Sequence, residues 1–183
     1  MSVRKLGLLA DTHSAKPDGS DLPDAVLRAF AGVDLIVHLG DVGRKGILDR
    51  LGEVAPVWVP YGEDKGYVPH LARDDDPVKV LDGAVGLTFN LAKPDKKIEV
   101  SQGSPTTIAY ADGALPALLQ RRFKADTVRA VAFGGTHVAH VEERDGVLFV
   151  NPGSPTLPSD GPTGSVAVLD LAGKKPKAKL TRL

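Results

Sequence analysis

Lys5-Leu6-Gly7-Leu8-Leu9-Ala10, running straight into Asp11-Thr12-His13-Ser14, decides the reading of the chain. The first six residues are continuously apolar after Lys5, as a strand covered on both faces should be. The polar cluster that ends it marks a strand tip. A polar, Gly/Pro-bearing loop follows to Ser20. Ser20 or Asp21 is placed to cap a helix running through Phe30, with Leu22, Val26, Leu27 and Phe30 on one face. Val33 to Leu39 repeats the buried-strand pattern and ends in Gly40-Asp41. A helix near Lys45 to Leu51 and a strand at Pro56 to Val59 complete a β-α-β-α-β alternation. That alternation predicts an α/β fold with helices packed on a mostly parallel sheet.

The second half has a different texture. Val78 to Leu81 and Ala84 to Thr88 read as short strands around Asp82-Gly83. Residues 92 to 113 are rich in Lys, Pro, Ser and Gly and read as a long loop or an inserted hairpin, with a β-like run at Thr106 to Tyr110. Ala114 to Phe123 is predicted helical, with Pro116 tolerated in its first turn. Ala130 to Phe133 is a strand ending in Gly134-Gly135-Thr136-His137. Val138 to Glu143 and Val147 to Val150 flank Asp145-Gly146, and Ser165 to Leu171 and Ala178 to Leu183 flank Gly173; both pairs are hairpins. The expected architecture is two stacked sheets, the first half parallel-rich, with helices outside.

Composition removes whole classes of function. The chain has 183 residues with 42% hydrophobic content, which supplies one core and one domain over 1–183. Twenty-three basic and 23 acidic residues cancel. A sequence-independent nucleic-acid or anionic-membrane binder is therefore not expected. Without cysteine there is no disulfide framework, thiol nucleophile or thiolate metal site. No apolar run approaches the ~20 residues that span a bilayer. The N-terminal stretch reads as a strand rather than a targeting signal, so a cytoplasmic location is expected.

Four polar clusters recur just past apolar strands: Asp11-Thr12-His13, His38-Leu39-Gly40-Asp41, Gly62-Glu63-Asp64 and Gly134-Gly135-Thr136-His137. Ligand sites in such sheets form outside the carboxyl ends of the strands. Residues i and i+2 of extended chain point the same way, so Asp11 and His13 can converge. Carboxylate and imidazole suit divalent Mn, Fe, Co or Zn. Each piece alone also has a plain structural reading: a turn cap plus a surface histidine, a helix cap at Asp41, and a buried His38 bonded to backbone. The joint pattern favours a site. His140 is expected on the opposite face from His137, and Trp58 in the core. Asp74-Asp75-Asp76 reads as a solvated loop.

Asp11-Thr12-His13, Gly40-Asp41, Gly-x-Thr-His at 134–137 and Asn151-Pro152-Gly153-Ser154, in that order, resemble the calcineurin-like metallophosphoesterase family. The closer likeness is to its small bacterial and archaeal phosphodiesterase branch, which also contains the retromer scaffold subunit. The resemblance implies a metallophosphoesterase-like two-sheet β-sandwich flanked by helices. It implies a first metal held by Asp11, His13, Asp41 and His137. A second metal would share Asp41 and add ligands at positions 63, 89 and 135. Those positions carry Glu63, Phe89 and Gly135, all departures from the family pattern. The assignment of Glu63 can slip by one residue to Asp64.

The resemblance thus implies a metal-dependent phosphoesterase with one intact metal site and a degenerate second one. Asp41 and Glu63 are the catalytic candidates, Glu63 as an unusual ligand or as a base for water. One tightly bound divalent ion is expected, Mn first, with Fe, Co, Ni, Zn or Mg as alternatives; no organic cofactor is expected. The substrate would be a small phosphate ester or diester. Lys65, His70 and Lys93 lie near these motifs and read as solvated surface residues. The alternative is a catalytically weak or inactive protein of this fold that acts as a scaffold and binds partners, or a second copy of itself, through the segment at 92–113. The turn at Asn151 to Ser154 is read as structural, or as bringing amides towards the site.

Overall fold

The computed structural model describes residues 3–60, 85–93 and 96–183. Eleven strands and three helices are present among them. In chain order they are β1 (Lys5–Leu9), α1 (Asp24–Ala29), β2 (Leu35–His38), α2 (Gly46–Gly52), β3 (Val57–Trp58) and β4 (Val85–Leu87). Then follow β5 (Glu99–Val100), β6 (Ile108–Ala109), α3 (Leu115–Phe123), β7 (Ala130–Ala132), β8 (Ala139–Arg144), β9 (Val147–Pro152), β10 (Ser165–Asp170) and β11 (Lys177–Arg182). No helix among the described residues is long and apolar enough to cross a membrane.

The strands form two larger sheets, ordered β11-β10-β1-β2-β3 and β4-β7-β9-β8. In the first, β1, β2 and β3 run parallel, and β10 and β11 add antiparallel partners. The expected parallel-rich first half is thus present. The second sheet is also parallel-rich: β4, β7 and β9 are parallel and only β8 runs against them. The stretch Val78 to Ala84 of the expected hairpin around Asp82-Gly83 lies outside the described residues. Val85–Leu87 pairs with Ala130–Ala132 across a crossover that includes α3.

Side-chain alternation explains the layering. Leu6 and Leu8 of β1 face inward with Val37, Val85, Leu87, Ala130, Ala132, Val150 and Leu169, so both sheets share one core. Leu9, Ile36 and Val166 face outward, beneath α1 and α2. Val131, Phe133 and Phe149 cover the outer face of the second sheet, against Leu115, Leu119 and Phe123 of α3. Each sheet has a glycine where a helix aromatic comes closest. A Cβ on Gly7 would lie 2.8 Å from the Phe30 ring, and one on Gly86 would lie 2.4 Å from Phe123. Glycine at these two positions lets the aromatic rings pack directly onto the backbone.

Within residues 92 to 113, Glu99–Val100 pairs antiparallel with Ile108–Ala109. This hairpin is tied to the β8–β9 turn: the Tyr110 hydroxyl donates to Asp145 Oδ2 at 2.9 Å, and the Arg144 guanidinium lies over the Tyr110 ring. Trp58 is half-buried and packs on the shared core.

The first helix starts later than its sequence suggests. Neither Ser20 nor Asp21 caps α1, which begins at Asp24 behind Pro23 and has no side-chain cap. The Asp21 carboxylate accepts from the Ser14 hydroxyl (2.7 Å) and the Ala15 amide (2.8 Å) instead. Its hydrogen bonds stabilise the loop leaving the first strand tip, in preference to the helix terminus. Asp41 does not cap α2 either, since that helix starts at Gly46 after Lys45.

Candidate metal centre

The tips of β1, β2 and β7 lie side by side because their strands are parallel within each sheet and the sheets face one another. Four ligand-type side chains meet there. One donor atom each from Asp11, His13, Asp41 and His137 lies within 4.8 Å of the others. His13 Nε2 is 3.3 Å from His137 Nε2 and 3.4 Å from Asp41 Oδ2. His137 Nε2 is 3.7 Å from Asp11 Oδ1. The chain separates the two histidines by 124 positions, so only the fold unites them.

The backbone is bent at the same places. Among the described residues, seven non-glycine residues have positive φ, and four of them are Asp11 (54°), His13 (42°), Asp41 (54°) and His137 (59°). Asp and His tolerate this left-handed region better than most residues, yet its concentration here marks a site the fold holds in place.

Hydrogen bonds around the cluster set its orientation. The Asp11 amide donates to Gly40 O (3.0 Å) and the His13 amide to Asp41 O (3.0 Å), joining the first two tips. The Ser154 hydroxyl donates to Asp11 O at 2.7 Å, and the Thr156 hydroxyl donates to Thr12 O at 2.7 Å. The Asn151 to Ser154 turn therefore supports the site through side-chain hydroxyls rather than amides. His137 Nδ1 donates to Leu157 O at 2.8 Å, which leaves the Nε2 lone pair facing the cluster. Thr12, Ser154 and Thr156 were not among the expected site residues. Thr12 and Ser154 lie inside the motifs and Thr156 two residues beyond, and that placement is the only signal that points to them.

Asp11 is the electrostatic focus. It is fully buried, Oδ2 accepts from the Gly135 amide at 2.9 Å, and Oδ1 has no hydrogen-bond partner among the described residues. Burial pushes its carboxyl up to about 6, against the lowering effects of the Gly135 hydrogen bond and the nearby His137. A buried carboxylate oxygen without a donor, facing two imidazole nitrogens, lacks a cation. Two carboxylates and two imidazoles form a donor set suited to Mn, Fe, Co or Zn. The residues fit a divalent ion.

His38 is not part of the cluster. It is fully buried, Nδ1 accepts from the Gly40 amide at 3.3 Å, and Nε2 donates to the Thr12 hydroxyl at 2.8 Å. Thr12 in turn donates to Val42 O at 2.8 Å. Desolvation drives the His38 imidazole down to about 3, so it stays neutral and serves as a strut. His140 pairs with Glu142 at 3.2 Å and lies outside the cluster.

Phe89 follows the end of β4. A Cβ on Gly40, Gly134 or Gly135 would lie 2.5, 3.2 or 3.4 Å from its ring, so the ring rests on the backbone beside the cluster. Neither Phe89 nor Gly135 has a side-chain lone pair to offer a metal. Glu63, Asp64, Lys65, His70 and Asp74-Asp75-Asp76 lie outside the described residues. Lys93 is exposed, and its carbonyl accepts from Arg122.

Two facing parallel-rich sheets with helices outside, and an acid–histidine cluster at the strand tips, define the class as an α/β sandwich with a candidate metal centre. The chain belongs to the calcineurin-like phosphoesterase superfamily, whose domain matches residues 5–174. It is 31% identical over 179 residues to a probable metallophosphoesterase of Methanothermobacter thermautotrophicus, covering 97% of this chain and 91% of that protein. It is 33% identical over 153 residues to a probable metallophosphoesterase of Methanocaldococcus jannaschii, covering 84% of this chain and 69% of that protein. Among solved structures, a single mutant of Vps29 from Entamoeba histolytica matches with TM-score 0.60 and 19% identity, over 98% of this chain and 99% of that one. The Zn2+ complex of the wild-type Vps29 matches with TM-score 0.51 and 18% identity, over 97% and 98%. These structural likenesses bear on the fold.

Proposed function

We propose that the chain is a metal-dependent hydrolase of phosphodiesters or small phosphate esters. In this reading Asp11, His13, Asp41 and His137 hold one tightly bound divalent ion, Mn first among the candidates. The observation that carries the reading is the unpartnered Oδ1 of buried Asp11, facing His137 within a cluster that only folding assembles.

A divalent cation bound there would supply Lewis-acid polarisation of a phosphoryl oxygen and a lowered pKa for attacking water. The chain's own residues have separate tasks. Buried Asp11 contributes undiluted negative charge, because little solvent screens it. His137 is oriented by Leu157 O through Nδ1. Half-buried Asp41 reaches both the cluster and solvent, so its carboxylate is suited to align a water. Glu63 is assigned the role of base for that water, or of an added ligand. The domain is taken as one unit over 1–183, with the segment at 92–113 as an insertion.

A second reading is favoured by one observation. By the resemblance, Phe89 and Gly135 fall at ligand positions of the second metal, and the Phe89 ring lies against Gly135. A protein of this fold that binds partners, with the hairpin β5–β6 in its contact surface, would tolerate that loss. It would not need the four remaining donors converged within 4.8 Å.

The test is hydrolysis of bis-p-nitrophenyl phosphate and p-nitrophenyl phosphate with Mn, Ni, Co or Mg added, compared with Asp11→Ala. Turnover that depends on metal and vanishes in the variant supports the enzyme. Absence of turnover with every metal, alongside binding of one equivalent of ion, supports the partner-binding protein.

A further inference from the structure

The chain has five phenylalanines, all described. Phe30, Phe123, Phe133 and Phe149 are fully buried, each in an apolar cluster. Phe89 alone is left half-buried, and it is the one beside the cluster of Asp11, His13, Asp41 and His137. Its ring lies along three glycines. Gly40 precedes Asp41, Gly134 follows β7, and Gly135 donates its amide to Asp11 Oδ2. A side chain at Gly40 would begin 2.5 Å from the ring, so glycine there leaves the space that the Phe89 ring occupies.

The segment carrying Phe89 is held from two sides. Its carbonyl accepts from the Gly134 amide at 3.0 Å, and the Thr88 amide donates to Ala132 O at 3.0 Å, extending the β4–β7 pairing past the strand end. From α3, Arg122 donates to the Thr88 hydroxyl (2.9 Å), to Asn90 O (2.7 Å), to Leu91 O (2.8 Å) and to Lys93 O. One guanidinium thus gathers acceptors from both sides of Phe89. A ring fixed this firmly and still partly open to solvent is presented rather than packed away.

We propose that Phe89 is a specificity-determining wall of the phosphoester site, selecting substrates whose organic group is flat and aromatic, and that Arg122 is its positioning residue. The proposal rests on the phosphoester reading above. Aromatic groups stack on such a ring by offset or edge-to-face contact, in addition to the apolar area they bury. An alkyl ester gains only the smaller area term.

Phenylphosphonate and methylphosphonate separate the two cases, because both carry the same anionic head and neither can be hydrolysed. Their affinities for the Mn2+-loaded chain are measured by calorimetry. The expected result is about tenfold tighter binding of phenylphosphonate, the upper range of a stacking contact. Phe89→Ala and Phe89→Leu should reduce the ratio to nearly one with the stoichiometry of Mn2+ unchanged, whereas Phe89→Trp should keep it. Arg122→Met should lower the ratio and Arg122→Lys should retain most of it, again at constant metal stoichiometry. Equal affinities in the unaltered chain, or a ratio that survives both Phe89→Ala and Phe89→Leu, overturn the proposal and leave the phosphoester reading standing. Binding of Mn2+ with no affinity for either phosphonate overturns both.

Discussion

The Nε2 atoms of His13 and His137 lie 3.3 Å apart, although 124 positions separate them in the chain. Two imidazole nitrogens brought this close gain nothing from each other when both are neutral and present lone pairs. With Asp41 Oδ2 at 3.4 Å and Asp11 Oδ1 at 3.7 Å, the pair makes chemical sense around a shared cation.

Asp11→Asn should stabilise the metal-free chain and abolish tight metal binding. The buried carboxylate is held up to about 6 from 3.8, so its charged form is disfavoured in the fold. Removing that charge is expected to raise stability at pH 8 by about 1–3 kcal/mol. The amide keeps an acceptor for Gly135 N–H and offers His137 Nε2 a donor. Thermal unfolding with chelator, paired with calorimetric Mn2+ titration, checks both halves. A variant less stable than the parent would count against Asp11 being strained by its own charge.

Stability against pH carries a second signature, since two buried groups act in opposite senses. Asp11 has a raised pKa, so the fold holds its proton more tightly than the unfolded chain, and acidification from above 6 towards 3.8 stabilises. His38 is lowered from 6.5 to about 3, so the unfolded chain takes up its proton first, and acidification below 6.5 destabilises. Between pH 6 and 4 the two effects offset one another. Asp11→Asn removes one of them, so its stability should fall faster than the parent's on acidification, by about 1.4 kcal/mol per pH unit at most. Chemical denaturation at pH 6 and pH 4.5 measures the difference, and parallel curves would refute the assignment. In the unaltered chain, metal affinity should decline below about pH 6 as Asp11 retains its proton.

Ser154→Ala tests the support beneath the site. Ser154 is fully buried, its hydroxyl donates to Asp11 O and accepts from the Leu157 amide at 2.8 Å. Loss of both bonds should cost about 1–3 kcal/mol of stability. It should also weaken metal binding by about 10–100-fold, the usual effect of removing a partner that orients ligands. Unaltered metal affinity would show that the turn supports the fold without orienting the ligands.

The sequence patterns and the structure agree where one physical rule sufficed. Continuous apolar runs gave strands covered on both faces, and polar tips after Leu9, His38 and Ala132 met because parallel strands end at the same edge. The Asp145-Gly146 and Gly173 hairpins followed from turn chemistry alone. Agreement failed where a residue had two uses. Asp21 has the composition of a helix cap, yet its oxygens serve Ser14 and Ala15, a choice that depends on three-dimensional proximity. The left-handed φ at all four cluster residues leaves no trace in residue type, since Asp and His occupy ordinary backbone elsewhere. That Phe89 offers no lone pair is plain from its residue type. Its seat on three glycines and its Arg122 clamp are not, because α3 comes beside it only in the folded chain.

Phe89→His combined with Gly135→His should raise bound metal from one equivalent to two. The φ of +82° at Gly135 strains any side chain, histidine less than most, and the smaller ring at position 89 relieves the 3.4 Å approach there. Elemental analysis of the dialysed, Mn2+-loaded variant reads the stoichiometry. A value still at one would contradict the placement of the second position beside Asp41.

Diffraction at the Mn absorption edge from crystals of the metal-loaded chain decides whether the four side chains of the cluster hold one ion. The expected result is one anomalous peak within bonding distance of Asp11, His13, Asp41 and His137 together. A cluster without a peak, or a peak bound elsewhere while these four side chains stay apart, would contradict it.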